Sequence, residues 1–185
     1  DAATMLRTLA ALAKVDGRVS IFLEPIALYM TKDLHEAGDG GWLTTYPAQD
    51  EAMVLGEGRI YDESADDLVI FTYGNGVPMS LRAARSIEAK HGWKVRVVDL
   101  RWLVPLNEGF IAEQAKSAKR ILIVDEGRHS AGVGEGVITA IAEAGFGGRP
   151  FQRVVGVDTY TPLAGAALLV LPGDDDIVAA ADRLV

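Results

Sequence analysis

From residue 58 onward, short apolar blocks alternate with longer stretches whose apolar residues recur every three or four positions. "GRIYDES", "DLVIFTYG", "WKVRVVDL", "RILIVDEG" and "FQRVVGVD" read as strands. "GVPMSLRAARSIEAKHG", closed by Gly92, "PLNEGFIAEQAKSAK", "GVGEGVITAIAEAGF" and "DDDIVAAADRL" read as helices. The blocks "VRVVDL" and "RILIVD" are apolar nearly throughout, as strands covered on both sides are. This alternation predicts an α/β fold of three layers: a mostly parallel five-stranded sheet with helices on both faces.

The first third of the chain is less regular. "TMLRTLAALAK", residues 4–14, sets Met5, Leu6, Leu9, Leu12 and Ala13 on one helical stripe. "GRVSIFLEP", residues 17–25, predicts a short strand that stops at Pro25. Residues 30–52 are polar, glycine-bearing and without period, which predicts a linker between a unit at 1–29 and a second unit at 53–185. The first helix has no strand ahead of it and no initiator methionine, so the chain reads as a piece of something longer.

Composition narrows the chemistry. Twenty-six acidic against 18 basic side chains leave a net charge of -8, which disfavours nucleic acid and anionic lipid as partners. No apolar run approaches the roughly 18 residues of a membrane span. The absence of cysteine excludes a disulfide framework, a thiolate zinc site and a cysteine nucleophile, and suits a cytoplasmic location. His35, His91 and His129 are far apart and show no H-x-x-x-H spacing, so a histidine metal site is weakly supported.

Residues 120–145 run from strand through a glycine-rich loop into a helix, the build of many phosphate sites. A dinucleotide fingerprint needs G-x-G-x-x-G directly after the strand. Here Gly132, Gly134 and Gly136 form G-x-G-x-G, residues 127–131 intervene, and Glu126 and Glu135 would face the phosphates. Close backbone packing is the plainer reason for these glycines. "GDGGW" at 38–42 carries the GDG with which thiamine diphosphate enzymes, together with a downstream asparagine, hold magnesium. Asn75 lies too far on and no strand precedes Gly38, so an exposed turn is expected. At a strand's carboxyl end, Arg101 either pairs with a ligand carboxylate or phosphate, or joins Asp99 in a network that fixes a loop or interface. Asp174, Asp175 and Asp176 suit the positive end of a helix, or form an acidic docking patch. Glu24 and His129 are ionisable groups suited to acid–base work beside a cofactor, which nothing local supplies.

Taken in order, these blocks resemble one family across essentially the whole chain. "DGRVSIFLEPIALY" resembles the end of the pyrimidine-binding domain in the beta component of 2-oxo acid dehydrogenase E1 enzymes, where an E-P pair leads to an L-Y pair. "VLGEGRIY", "LVIFTYGNGVPMSLRAA", "VRVVDLRWLVPLN", "ILIVDEGRHSAGVGEGV", "VVGVDTYTPLAG" and "LPGDDDIVAAADRL" are similar to the C-terminal domain these enzymes share with transketolase. Its most specific blocks are D-L-R-x-L-x-P-L at 99–106 and V-D-E-G followed by G-V-G.

The resemblance implies a parent that binds thiamine diphosphate and Mg2+ between subunits, decarboxylates a 2-oxo acid and passes the acyl group to lipoyl-lysine on an E2 partner. It also implies that an alpha-type domain or subunit holds the diphosphate, and that the glutamate activating the aminopyrimidine lies upstream of Asp1. Residues 1–29 are then the tail of the pyrimidine-binding domain, and the chain alone is expected to hold no catalytic residue, cofactor or metal. A homodimer of beta-type domains is expected through Asp99, Arg101, Glu126, Ser130, Ala131, Gly132, Gly134 and Gly136. E2 docking is expected through Asp174, Asp175, Asp176 and Val185. Tyr160 stands where the family often has a second proline, and the linker is longer than the commonest forms, as in an E1 with fused alpha and beta portions. Two readings compete: a transketolase or deoxyxylulose phosphate synthase domain, which "FLEPIALY" disfavours, and a free-standing nucleotide-binding regulatory domain using the 127–136 loop.

Overall fold

The computed structural model describes residues 2–185. Along the chain come α1 (Ala2–Asp16), β1 (Arg59–Tyr61), β2 (Leu68–Thr72), α2 (Gly76–His91), β3 (Val95–Asp99), α3 (Glu108–Lys116), β4 (Ile121–Arg128), α4 (Val133–Ile141), β5 (Phe151–Gly156) and α5 (Asp174–Asp182). The sheet has the order β1-β3-β2-β4-β5, parallel except for β1, which runs antiparallel to β3. This is the expected mostly parallel five-stranded sheet.

Strand periodicity divides the core. Leu68, Ile70, Leu122 and Val124 point to the face covered by α2 and α5, where Met79, Ala83, Ile87, Ile177 and Ala181 meet them. Val69, Phe71, Ile121 and Ile123 point the other way, onto Ile111 and Ala115 of α3 and Val137 and Ile141 of α4. Each such side chain buried in full contributes roughly 1.5–3 kcal/mol, so both helical layers are held by the same central strands.

Local signals end most helices where expected. Gly92, at φ 68, closes α2 with its N–H donating to the Glu88 carbonyl. Asn107 caps α3 by accepting the Phe110 N–H at 3.0 Å. The fourth helix stops short of its predicted end: α4 finishes at Ile141 and widens into a π turn, Ala142–Phe146, where Gly145 takes φ 87.

The predicted strand at 17–25 does not form. Val19, Ile21 and Leu23 are exposed, and no neighbouring strand among the described residues gives this segment a ladder partner. The stripe expected on α1 is likewise not its buried side. Thr4 and Thr8 are buried instead, with the Thr8 hydroxyl donating to the Met53 carbonyl and Arg7 donating to the carbonyls of Ala48 and Glu51. A helix whose apolar stripe has no opposing layer docks through its polar side.

The chain passes from β2 to β3 on one side, then crosses to β4 on the other. The point where the winding reverses therefore lies between the carboxyl ends of β2 and β4, where open α/β sheets hold their ligands.

Candidate functional site

Asp125, at the end of the apolar run of β4, occupies that reversal point. It is 2% exposed, so its carboxylate must be fully hydrogen-bonded. Tyr73, just past β2, donates its hydroxyl to Oδ1 at 2.6 Å. The Gly127 N–H donates to Oδ1 at 2.7 Å, and the Gly134 N–H, in the first turn of α4, donates to Oδ2 at 2.9 Å. Burial and the hydrogen bond to Asp125 push the Tyr73 phenol well above its ordinary range. No water-sized space remains between Tyr73, Leu100, Asp125, Val133 and Gly134.

The glycines are explained by this carboxylate and its surroundings. A Cβ at Gly132 would stand 2.7 Å from Asp125 Oδ2; one at Gly134 would stand 3.0 Å from Ile123 Cγ2; one at Gly136 would stand 2.9 Å from Leu106 Cδ1. All three approaches are within the chain. The nucleotide reading of this loop fails on the same geometry, because the N–H groups of Gly127 and Gly134 are already spent on an internal anion.

Around this plug, the expected association residues gather at the carboxyl end of the sheet. Glu126 accepts from the Asn75 side chain at 2.7 Å, bridging the ends of β4 and β2. Asp99 accepts the Arg101 N–H at 3.1 Å, and the Arg101 guanidinium lies 3.9 Å from the same carboxylate. Burial pushes the Asp99 carboxyl up while Arg101 opposes the rise. Ser130 and Ala131 are exposed; Ser130 donates through N–H and hydroxyl to Asp158 at 2.8 and 2.7 Å, and the His129 carbonyl accepts from Arg153 at 2.5 Å.

Large apolar side chains stand uncovered on the adjoining loops. Val104 follows β3, and Tyr160, Leu163, Leu168 and Leu169 follow β5, each at least 80% exposed. Pro25, on the segment that carries exposed Ile21, Leu23 and Ile26, lies over Gly74 at the end of β2.

The remaining candidates have local explanations. Asp39 of the GDG accepts the N–H groups of Leu34, His35, Glu36 and Gly41, and Asp33 accepts those of Gly38 and Gly40. These bonds hold the Asp39 carboxyl far below the usual carboxylate range. The turn is exposed, as expected, and its carboxylates face their own backbone. Asp174 forms a two-pronged bond with Arg82 at 2.6 and 2.9 Å, and Asp176 caps α5 by accepting the Gly173 N–H at 2.8 Å. Asp175 and Val185 point outward. Glu24 accepts from the Tyr29 hydroxyl. His91 pairs with Asp182 at 2.8 Å and stacks on Trp93. Among the described residues no group of three or more His, Asp or Glu side chains is placed to hold a metal ion, and no helix is long and apolar enough to cross a membrane. Asp125 was missed as a candidate; its signal was the acid that ends the apolar run "ILIVD", with Glu126 and Gly127 directly after it.

The structure is thus an open α/β domain whose crevice at the winding reversal is filled by its own side chains, with large apolar side chains exposed on the loops around it. Residues 56–175 match the family "Transketolase, C-terminal domain", and the chain belongs to that family. It is 36% identical over 124 residues to the 3-methyl-2-oxobutanoate dehydrogenase subunit beta of Mycobacterium tuberculosis, covering 66% of this chain and 36% of that protein. It is 31% identical over 134 residues to the pyruvate dehydrogenase E1 component subunit beta of Staphylococcus aureus, covering 71% and 41%. The chain thus spans well under half the length of these relatives. Among solved structures, a split gene transketolase described as an inactive beta4 tetramer superposes with a TM-score of 0.62 at 26% identity, covering 77% of this chain and 45% of that one.

Proposed function

We propose that this chain is the subunit-association and E2-docking part of a thiamine diphosphate-dependent 2-oxo acid dehydrogenase E1, whose parent decarboxylates a 2-oxo acid and transfers the acyl group to lipoyl-E2. The observation that carries the reading is the uncovered apolar surface at the carboxyl end of the sheet, formed by Val104, Tyr160, Leu163, Leu168 and Leu169. Large apolar side chains left exposed in number at one end of a domain are what a protein contact covers. In this reading beta-type domains pair there, with Asp99, Arg101, Glu126, Ser130 and Ala131 at the contact and Gly132, Gly134 and Gly136 shaping it from within. An alpha-type domain or subunit completes the parent. Residues 1–29 serve as the tail of the pyrimidine-binding domain and 30–52 as the linker to 53–185.

Thiamine diphosphate and Mg2+ belong to the parent rather than to these residues. The Asp39 carboxylate already accepts four N–H donors of its own turn, and Asp125 occupies the space at the winding reversal with its own hydrogen bonds. E2 docking falls to Asp175 at the start of α5 and Val185 beyond its far end, with Asp174 and Asp176 as the ordered acidic background beside Asp175. Relatives named for pyruvate and for 3-methyl-2-oxobutanoate match at similar identity, which supports a domain common to enzymes of different 2-oxo acids.

Sedimentation over a range of concentrations tests association, with a strictly monomeric chain as the outcome that would remove it. Unchanged binding of an E2 subunit-binding domain after Asp175→Asn would remove the docking role. The similarity to a split gene transketolase favours a second reading, sugar-phosphate transfer by the parent. Reduction of an artificial electron acceptor by the parent with pyruvate, 2-oxoisovalerate or 2-oxoglutarate, against transketolase activity, separates the two.

A further inference from the structure

We infer that Asp125 is a built-in anion that sets the display of residues 128–131: its carboxylate stands where a phosphate-binding α/β domain would hold its ligand. The second half of this inference rests on the association reading above. The loop is tied to the carboxylate at both feet, Gly127 and Gly134, and pressed against it at Gly132. Outside, Asp158 and Arg153 hold Ser130 and the His129 carbonyl. The four exposed residues Arg128, His129, Ser130 and Ala131 are therefore ordered before any partner arrives, so less freedom is lost on contact. Neutral replacement does not reproduce this. An asparagine offers one acceptor oxygen where three donors converge, and its amide would oppose one of their hydrogens.

The test is chemical rescue of the full chain. Asp125→Gly leaves three donors around a vacancy suited to formate. Formate is expected to raise the thermal midpoint of this variant above its value in chloride at equal ionic strength, with no such difference in the wild type. Self-association by sedimentation is expected to weaken by about tenfold or more, since all three donors lose their charged acceptor, and to recover with formate. Tyr73→Phe, which keeps the carboxylate and two donors, is expected to weaken association less. A midpoint that formate moves no more than chloride, or an Asp125→Gly chain that associates as the wild type does, overturns the inference. A variant that stays unfolded even with formate overturns it too. If the wild type is monomeric, the association reading falls, and the formate response alone still decides whether Asp125 is an internal anion.

Discussion

Asp39 and Asp125 are both carboxylates wrapped by main-chain N–H groups beside glycines, and they do different work. Asp39 gathers four donors from within eight residues of chain, on an exposed turn. Asp125 gathers two N–H groups and a hydroxyl, one of them 52 positions away, in the buried centre of the sheet's carboxyl end. Water replaces the donors of the first at little cost; nothing replaces those of the second. The same local device is a turn in one place and a tertiary joint in the other.

The largest expected difference is in global stability. Asp125→Ala leaves buried donors unsatisfied and is expected to cost about 3 kcal/mol or more in urea unfolding. Asp39→Ala is expected to leave the unfolding midpoint almost where it was. Equal losses would mean that burial does not distinguish the two sites.

A smaller contrast uses the glycines. A Cβ at Gly134 would stand 3.0 Å from Ile123, and one at Gly41 would stand 3.0 Å from Leu34. Ile123 is buried in the core, whereas Leu34 is half-buried in a surface turn. Gly134→Ala is expected to cost about 1–3 kcal/mol, and Gly41→Ala to stay within about 0.5 kcal/mol of the wild type.

Tyr73→Phe is expected to cost about 1–2 kcal/mol, the value of one hydrogen bond to a charged group. It should also remove a high-pH component from the tyrosinate absorbance titration. Because the folded phenol is raised, its contribution is complete below the ordinary tyrosine range, about pH 10, and is lost as pH rises through the folded value. A variant whose stability falls alongside the wild type across that alkaline window would contradict the bond.

The smallest effect is local. The Asp39 carboxyl is depressed in the folded turn, so the order it confers is complete above the ordinary aspartate range, about pH 4, and fades only as pH falls toward the lower folded value. Hydrogen exchange at the amides of Leu34, His35, Glu36 and Gly41 reads this directly. Asp39→Asn is expected to lose that protection at neutral pH, without loss at Gly127 and Gly134.

Legibility in the sequence follows the same division. The units from 58 onward, the exposed GDG turn and the helix ends at Gly92 and Asp176 were readable because each depends on residues a few positions apart. The strand at 17–25 misled because a strand is a property of two segments, and its alternation of Val19, Ile21 and Leu23 says nothing of whether a neighbour is present. On α1 the apolar stripe was correctly periodic, yet the layer it would pack on is not what the helix meets; residues 48–53 are.

At the carboxyl end of the sheet, sequence alone determined the alternation that makes the fold, the glycines that permit close approach, and the acidic and small residues of the loops. Only the tertiary structure decided that Asp125, rather than a bound phosphate, holds the loop, and that Asp174 is engaged by Arg82 while Asp175 is not. The physical reason is range. Periodicity and capping are set by neighbours in the chain, whereas the filling of a crevice is set by which distant side chains the sheet order brings to one place.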